Sequence, residues 1–214
     1  MLDKNALIDL YRRRARRYDV TANLYHLIGF RESAYRRAAV RALSLRTGDS
    51  VIEIGCGTGL NFPLLERAIG TTGRLVGVDL TDAMLDRARD RVTREGWTNV
   101  DLVREDAARF RVPANAGGVI STFALTLVPE YDRVIAAAAA ALAPGRRFVL
   151  LDLKRPSRAP EALVWLMAWL TRPFGVTLDI AERHPWESLA RHLRLCSFEE
   201  FYFGFAYLAV GERR

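Results

Sequence analysis

Residues Val51 to Leu60 read Val-Ile-Glu-Ile-Gly-Cys-Gly-Thr-Gly-Leu, an apolar strand that runs straight into glycines at 55, 57 and 59. Glycine has no Cβ and adopts positive φ, so a parallel strand ending in such a turn lets the backbone come close to a nucleotide-like ligand. A cofactor is expected at this turn. From Ser50 onward strand and helix patterns alternate, with strands near 50–55, 74–79, 99–104, 118–123 and 147–152 and helices near 60–69, 82–95 and 130–142. That alternation predicts a parallel sheet with right-handed crossovers, helices on both faces, and a ligand at the carboxyl ends of the strands where the order reverses.

The spacing narrows the cofactor. Dinucleotide sites carry Gly-x-Gly-x-x-Gly/Ala, but here the last position is Leu60. The pattern Glu53-x-Gly55-x-Gly57-x-Gly59 instead resembles motif I of the class I S-adenosylmethionine (SAM) methyltransferases. Asp79 closes a second strand twenty positions after Gly59, the spacing at which an acid reaches a ribose hydroxyl pair. Further stretches resemble the family in order: Thr81-Asp-Ala-Met84-Leu, Val100-Asp-Leu-Val-Arg-Glu-Asp106-Ala107, Gly118-Val-Ile-Ser-Thr-Phe-Ala124, Ala143-Pro-Gly145 and Phe148-Val-Leu-Leu-Asp152.

The resemblance covers roughly residues 45 to 155 and implies an α/β Rossmann-like fold. Its seven-stranded, mostly parallel sheet would carry helices on both faces and an N-terminal helical cap. It also implies SAM as cofactor, with S-adenosylhomocysteine as product. The implied cofactor residues are Glu53, Gly55, Cys56, Gly57, Gly59, Asp79, Leu80, Met84, Asp106, Ala107, Thr122 and Phe123. Among them Met84 would lie against the adenine, Asp106 and the Ala107 N–H would take the adenine edge, and Glu53 would meet the methionyl amino group. Two positions depart from the family pattern: Gly117 stands where many relatives place an acid, and Thr126 where many have histidine.

At 214 residues and 50% apolar, the chain suits one domain with a full core. It has no run of eighteen apolar residues, and its first ten residues lack a signal-peptide core. Two cysteines make no disulfide framework, so a cytoplasmic setting is expected. The three histidines, His26, His184 and His192, are not spaced as metal ligands, and no metal is expected. Residues 1–46 carry all of the net charge of +7. The run Arg12-Arg-Arg-Ala-Arg-Arg17 lies among Leu7, Ile8, Leu10, Tyr11 and Tyr18, a composition that also lies on anionic membrane surfaces. Peripheral contact with an inner membrane face is therefore one expectation and a solvated basic helix the other. Outside this run the chain shows no face that interleaves basic and aromatic residues, so no nucleic-acid partner is expected.

Two regions flank this core. Residues 1–46 are expected as a basic helical cap with helices over 3–18 and 31–45, and 47–214 as the SAM-binding domain. Near 159–193 that domain carries a hydrophobic helical insertion, with a short helix over 185–193. The apolar helix of this insertion would pack on the N-terminal helices or a second subunit, or roof an acceptor site. A closing hairpin is expected over 198–205 and 206–212. Candidate groups for accepting the acceptor's proton are Tyr18, Asp19, Tyr25 and His26 in the cap and His184 after the insertion. The pattern Tyr11…Tyr18-Asp19…Leu24-Tyr25…Gly29…Arg36, with Ser121-Thr-Phe-Ala-Leu-Thr126, resembles bacterial phospholipid and betaine-lipid N-methyltransferases. It is less closely similar to quinone-biosynthesis C-methyltransferases. The expected activity is methyl transfer to a lipophilic acceptor, preferably a phospholipid amine; the alternatives are a quinone precursor, another small molecule, or SAM binding without catalysis.

Overall fold

The computed structural model describes residues 4–15, 29–156 and 183–214. In chain order the elements are α1 (Lys4–Arg14), α2 (Glu32–Ala42), β1 (Ser50–Ile54), α3 (Phe62–Ile69), β2 (Arg74–Asp79), α4 (Asp82–Glu95), β3 (Val100–Arg104) and β4 (Gly118–Thr122). They continue with α5 (Tyr131–Ala141), β5 (Arg147–Leu153), α6 (Pro185–His192), β6 (Arg194–Phe201) and β7 (Ala206–Glu212). The seven strands form one sheet in the order β3-β2-β1-β4-β5-β7-β6. Neighbours from β3 through β5 pair parallel, and β7 runs antiparallel between β5 and β6. This is the Rossmann-like arrangement of class I methyltransferases, with the order reversing between β1 and β4.

Alternation along the strands sorts the core onto two faces. Ile52 and Ile54 of β1 join Val119, Phe148 and Tyr207 under Val134, Ile135 and Ala138 of α5 and Leu189 of α6. Val51 joins Ile120, Val149 and Leu208 under Ala39 and Val40 of α2, Leu65 of α3 and Leu85 of α4. Each fully buried Leu, Ile or Phe contributes about 1.5–3 kcal/mol. Because α2 supplies Ala39 and Val40 to this second core, it is a layer of the sheet domain although it lies before the expected division at residue 46.

The hairpin starts earlier than its composition suggests. β6 begins at Arg194 rather than near Phe198, and its residues are mostly exposed. An edge strand with one free side needs no apolar alternation, so Arg-Leu-Cys-Ser-Phe-Glu-Glu-Phe did not announce itself. The short helix expected at 185–193 is α6. Tyr18, Asp19, Tyr25 and His26, together with residues 157–182 of the expected insertion, lie outside the described residues. No helix among the described residues is long and apolar enough to cross a membrane.

Candidate active site

A cleft opens at the carboxyl ends of β1, β2 and β4, where the sheet order reverses. The turn after β1 forms its floor. The N–H groups of Gly55 and Cys56 both donate to Val78 O, at 2.8 and 3.0 Å, which ties the turn to the end of β2. Gly55 sits at φ +70°, and a Cβ there would stand 2.3 Å from the Ala124 Cβ. Gly57 sits at φ +55° with nothing within 4 Å of a would-be Cβ. One glycine is thus required by packing and the other leaves the backbone bare toward the cleft.

Asp79 joins this turn to α4. Its two carboxylate oxygens accept the backbone N–H groups of Gly57 and Thr81, each at 2.8 Å. Burial pushes the Asp79 carboxyl up, and the backbone donors oppose that rise. Of the residues expected around the cofactor, Gly55, Cys56, Gly57, Asp79, Leu80, Met84, Asp106, Ala107, Thr122 and Phe123 line the cleft. Met84 is almost wholly buried, and the Asp106 carboxylate accepts the Ala108 N–H at 3.0 Å within its own turn. Burial also drives the Cys56 thiol well above its usual range.

Gly59 and Glu53 stand behind the cleft wall. A Cβ on Gly59 would lie 2.6 Å from the Phe62 ring, so its small size serves the packing of α3. Glu53 is buried on the α2/α3 side of β1 and belongs to a polar network that sequence reasoning missed. Arg36 Nη1 donates to Thr122 Oγ1 at 2.6 Å and to Asn61 Oδ1 at 3.2 Å. Asn61 Nδ2 in turn donates to Glu53 Oε1 at 2.6 Å and to Thr122 Oγ1 at 2.9 Å. Glu32 accepts from Arg36 at 2.7 and 2.8 Å. Burial raises the Glu53 carboxyl to about 7, against the pull of Arg36 and Asn61.

Among the described residues Glu53 Oε2 has no hydrogen-bond partner. A buried carboxylate oxygen without a donor is costly, and a ligand ammonium, directly or through water, is the chemistry that would meet it. The bare Gly57 backbone, the Asp79 carboxylate and this oxygen fit a zwitterionic nucleoside such as SAM.

Three parts of the site had a weak signal or none. Ile8 and Tyr11 of α1 line the cleft, as do Arg36 and the Leu127-Val128-Pro129 turn. α1 is held by Arg12, whose Nε and Nη2 donate to Asp82 Oδ1 and Oδ2 at 2.8 and 2.6 Å. This arginine, which the charge run assigned to a membrane-facing or solvated surface, is engaged within the molecule. His184 stands at the N-terminus of α6, not in the cleft wall; its ring centroid lies 4.6 Å from that of Trp186, and Nδ1 is 3.2 Å from Glu187 Oε1. At Gly117, one of the two departures from the family pattern, a Cβ would stand 2.8 Å from Ser50 O.

Residues 51–145 match a family described as "Methyltransferase domain". Among curated relatives, the ubiquinone/menaquinone biosynthesis C-methyltransferase UbiE of Pseudomonas putida is 30% identical over 145 residues, 67% of this chain and 56% of that protein. A demethylmenaquinone methyltransferase of Shouchella clausii is 26% identical over 150 residues, 70% of this chain and 63% of that one. The chain thus spans less than two thirds of the length of these relatives. A SAM-dependent methyltransferase from Aquifex aeolicus superposes with TM-score 0.63 at 17% identity, covering 82% of this chain and 88% of that one. Geranyl diphosphate C-methyltransferase from Streptomyces coelicolor, in a structure holding S-adenosyl-L-homocysteine, gives 0.69 at 15% identity, covering 86% and 79%. With the sheet order, the glycine turn and the family match over its central residues, the described core of this chain is a class I SAM-dependent methyltransferase domain.

Proposed function

We propose that the protein transfers a methyl group from SAM to a lipophilic acceptor, and that the acceptor is the ring carbon of a quinone precursor. The convergence of ten motif residues on one cleft, in front of the unpartnered Glu53 Oε2, carries the cofactor half of this reading. The acceptor half is supported by a relative named for C-methylation in ubiquinone/menaquinone biosynthesis and another named a demethylmenaquinone methyltransferase, which favour this class over the phospholipid amine suggested by the N-terminal pattern.

In this reading Glu53 takes the methionyl amino group, Asp79 the ribose hydroxyls, Met84 the adenine face, and Asp106 with the Ala107 N–H the adenine edge. When bound, SAM supplies an electrophilic methyl group whose transfer quenches a positive charge. Phe123, Ala124, Leu127, Val128 and Pro129 give the cleft an apolar side, which excludes water and holds an acceptor in line; such positioning supplies several kcal/mol. Arg36 fixes Thr122 and Asn61 and balances the charge of Glu53. A ring carbon that gains a methyl must lose a proton, and we assign its acceptor to Tyr18, Asp19, Tyr25 or His26. Both elements flanking that stretch, α1 through Tyr11 and α2 through Arg36, contribute to the cleft.

The test is incubation of the protein with methyl-labelled SAM and, in parallel, an anaerobic reduced naphthoquinone or phosphatidylethanolamine vesicles. Label is expected in the quinol; label only in the phospholipid would restore the amine reading. Peripheral contact with anionic membranes is a second part of the proposal. Of the described arginines in the run it draws on the exposed Arg13, since Arg12 is paired with Asp82. Sedimentation with anionic but not neutral vesicles, reversed by salt, checks it.

A further inference from the structure

From Phe123 in the cleft wall a chain of aromatic rings runs outward to solvent. Phe123 meets Phe30 at 6.0 Å between ring centroids, Phe30 meets Tyr202 at 5.3 Å, and Tyr202 meets Phe203 at 5.5 Å. Tyr35 flanks the strip, edge-on to Phe30 at 5.3 Å and stacked on Phe201 at 4.6 Å. These rings differ from the core aromatics: Phe62, Phe148 and Tyr207 are fully buried, whereas Phe30, Phe123 and Tyr202 are only half-buried. Phe203 is 78% exposed. Its backbone, like that of Tyr202, lies in the left-handed region, at φ 57° and 49°. Two consecutive bulky residues there cost free energy, and such strain collects at functional positions. A strained turn that presents a phenylalanine to water, continuous with the reaction cleft, is poorly explained by packing.

We propose that this strip, ending at Phe203, is the track along which the hydrocarbon tail of the acceptor leaves the cleft. The reacting head lies beside Phe123, and the tail runs over Phe30 and Tyr202 to Phe203. The proposal rests on the reading of a lipophilic acceptor and adds the residues that select for its tail. Continuity with the cleft favours a tail over a bilayer or a second protein copy as the occupant.

The protein saturated with S-adenosylhomocysteine is titrated calorimetrically with two pairs of probes, 1-naphthol with 4-decyl-1-naphthol and phosphoethanolamine with decylphosphoethanolamine. The decyl naphthol should bind wild type at least about tenfold more tightly than 1-naphthol, a gain that burying two methylenes already supplies. Phe203→Ser should remove most of that ratio, Phe203→Leu should retain it, and S-adenosylhomocysteine affinity should not change. An unchanged ratio in Phe203→Ser, or no binding of either decyl probe, overturns the track. So does a Phe203→Ser variant that keeps the ratio but loses binding to bare vesicles or dimerisation, which would assign Phe203 to a bilayer or a second copy. A Phe203-dependent tail gain seen with decylphosphoethanolamine alone upholds the track while refuting the quinone reading.

Discussion

Replacing Glu53 with glutamine is expected to stabilise the cofactor-free protein while weakening its hold on the cofactor. Burial raises the Glu53 carboxyl from 4.5 to about 7. At 1.36 kcal/mol per pH unit, a difference of that size is worth about 3 kcal/mol. The sign follows from the direction: a carboxylate that binds its proton more tightly when folded favours the native state below about pH 4.5 and progressively loses that benefit as pH rises through about 7. Near pH 5 the group is protonated in the folded protein, and a glutamine amide imitates it, so mutant and wild type should unfold within a few degrees of each other. Near pH 8 the wild type carries the buried charge and the mutant does not. For a domain of this size each kcal/mol moves Tm by about 2–4 °C, so the mutant should melt about 6–12 °C higher at pH 8. Asp79 and Asp152 are also raised by burial, but they are present in both proteins and largely cancel in the difference. Calorimetry with S-adenosylhomocysteine at pH 8 should show the opposite ranking. There the mutant loses a charge-assisted hydrogen bond worth about 1.5–3 kcal/mol, on the order of ten- to a hundredfold in affinity. A mutant that melts lower at pH 8, or a Tm difference equal at pH 5 and pH 8, would refute the reasoning.

Gly57→Ala and Gly55→Ala should separate ligand approach from packing: at Gly57 nothing lies within 4 Å of a Cβ, whereas at Gly55 Ala124 stands 2.3 Å away. The first variant should fold with weakened S-adenosylhomocysteine binding and the second should lose stability, as thermal unfolding and calorimetry will show. Asp79→Ala should weaken S-adenosylhomocysteine by at least about thirtyfold, because it removes the proposed ribose ligand and also frees the N–H groups of Gly57 and Thr81; unchanged affinity would sink that role. Arg12→Gln should release α1 from Asp82 and speed S-adenosylhomocysteine dissociation several-fold in stopped flow, with little change in Tm because the pair is exposed.

What could be read from the chain and what could not divide along physical lines. β1 and its turn were legible because a strand buried on both faces is nearly all apolar and the glycines are forced by positive φ and close approach. β6 was misplaced because an exposed edge strand carries no such pattern. The Arg36 network was invisible because Arg36 and Thr122 lie 86 positions apart, and nothing local marks their meeting. Glu53 was expected against the methionyl amino group of the cofactor, whereas its placement behind the wall, among Asn61 and Arg36, depends on strand alternation toward α2 and α3. For α1 the amphipathic composition was plain, but whether its apolar side met lipid or protein depended on Ile8 and Tyr11 reaching the cleft and on Asp82 receiving Arg12.

The position of β7 bears on how the molecule is made. It follows every other strand in the chain, yet it lies inside the sheet and pairs with β5 along Arg147–Leu153 and with β6 along Arg194–Phe201. Tyr207 and Ala209 have no exposed surface. During synthesis the edge of β5 must therefore wait unpaired, with its apolar side uncovered, until residues 206–212 emerge, so completion of this domain is a late and non-local event. Ribosome-stalled chains exposed only as far as residue 205 should remain protease-sensitive, while chains with Glu212 clear of the exit tunnel should become resistant. A segment made long after the glycine turn is the one that locks this half of the sheet.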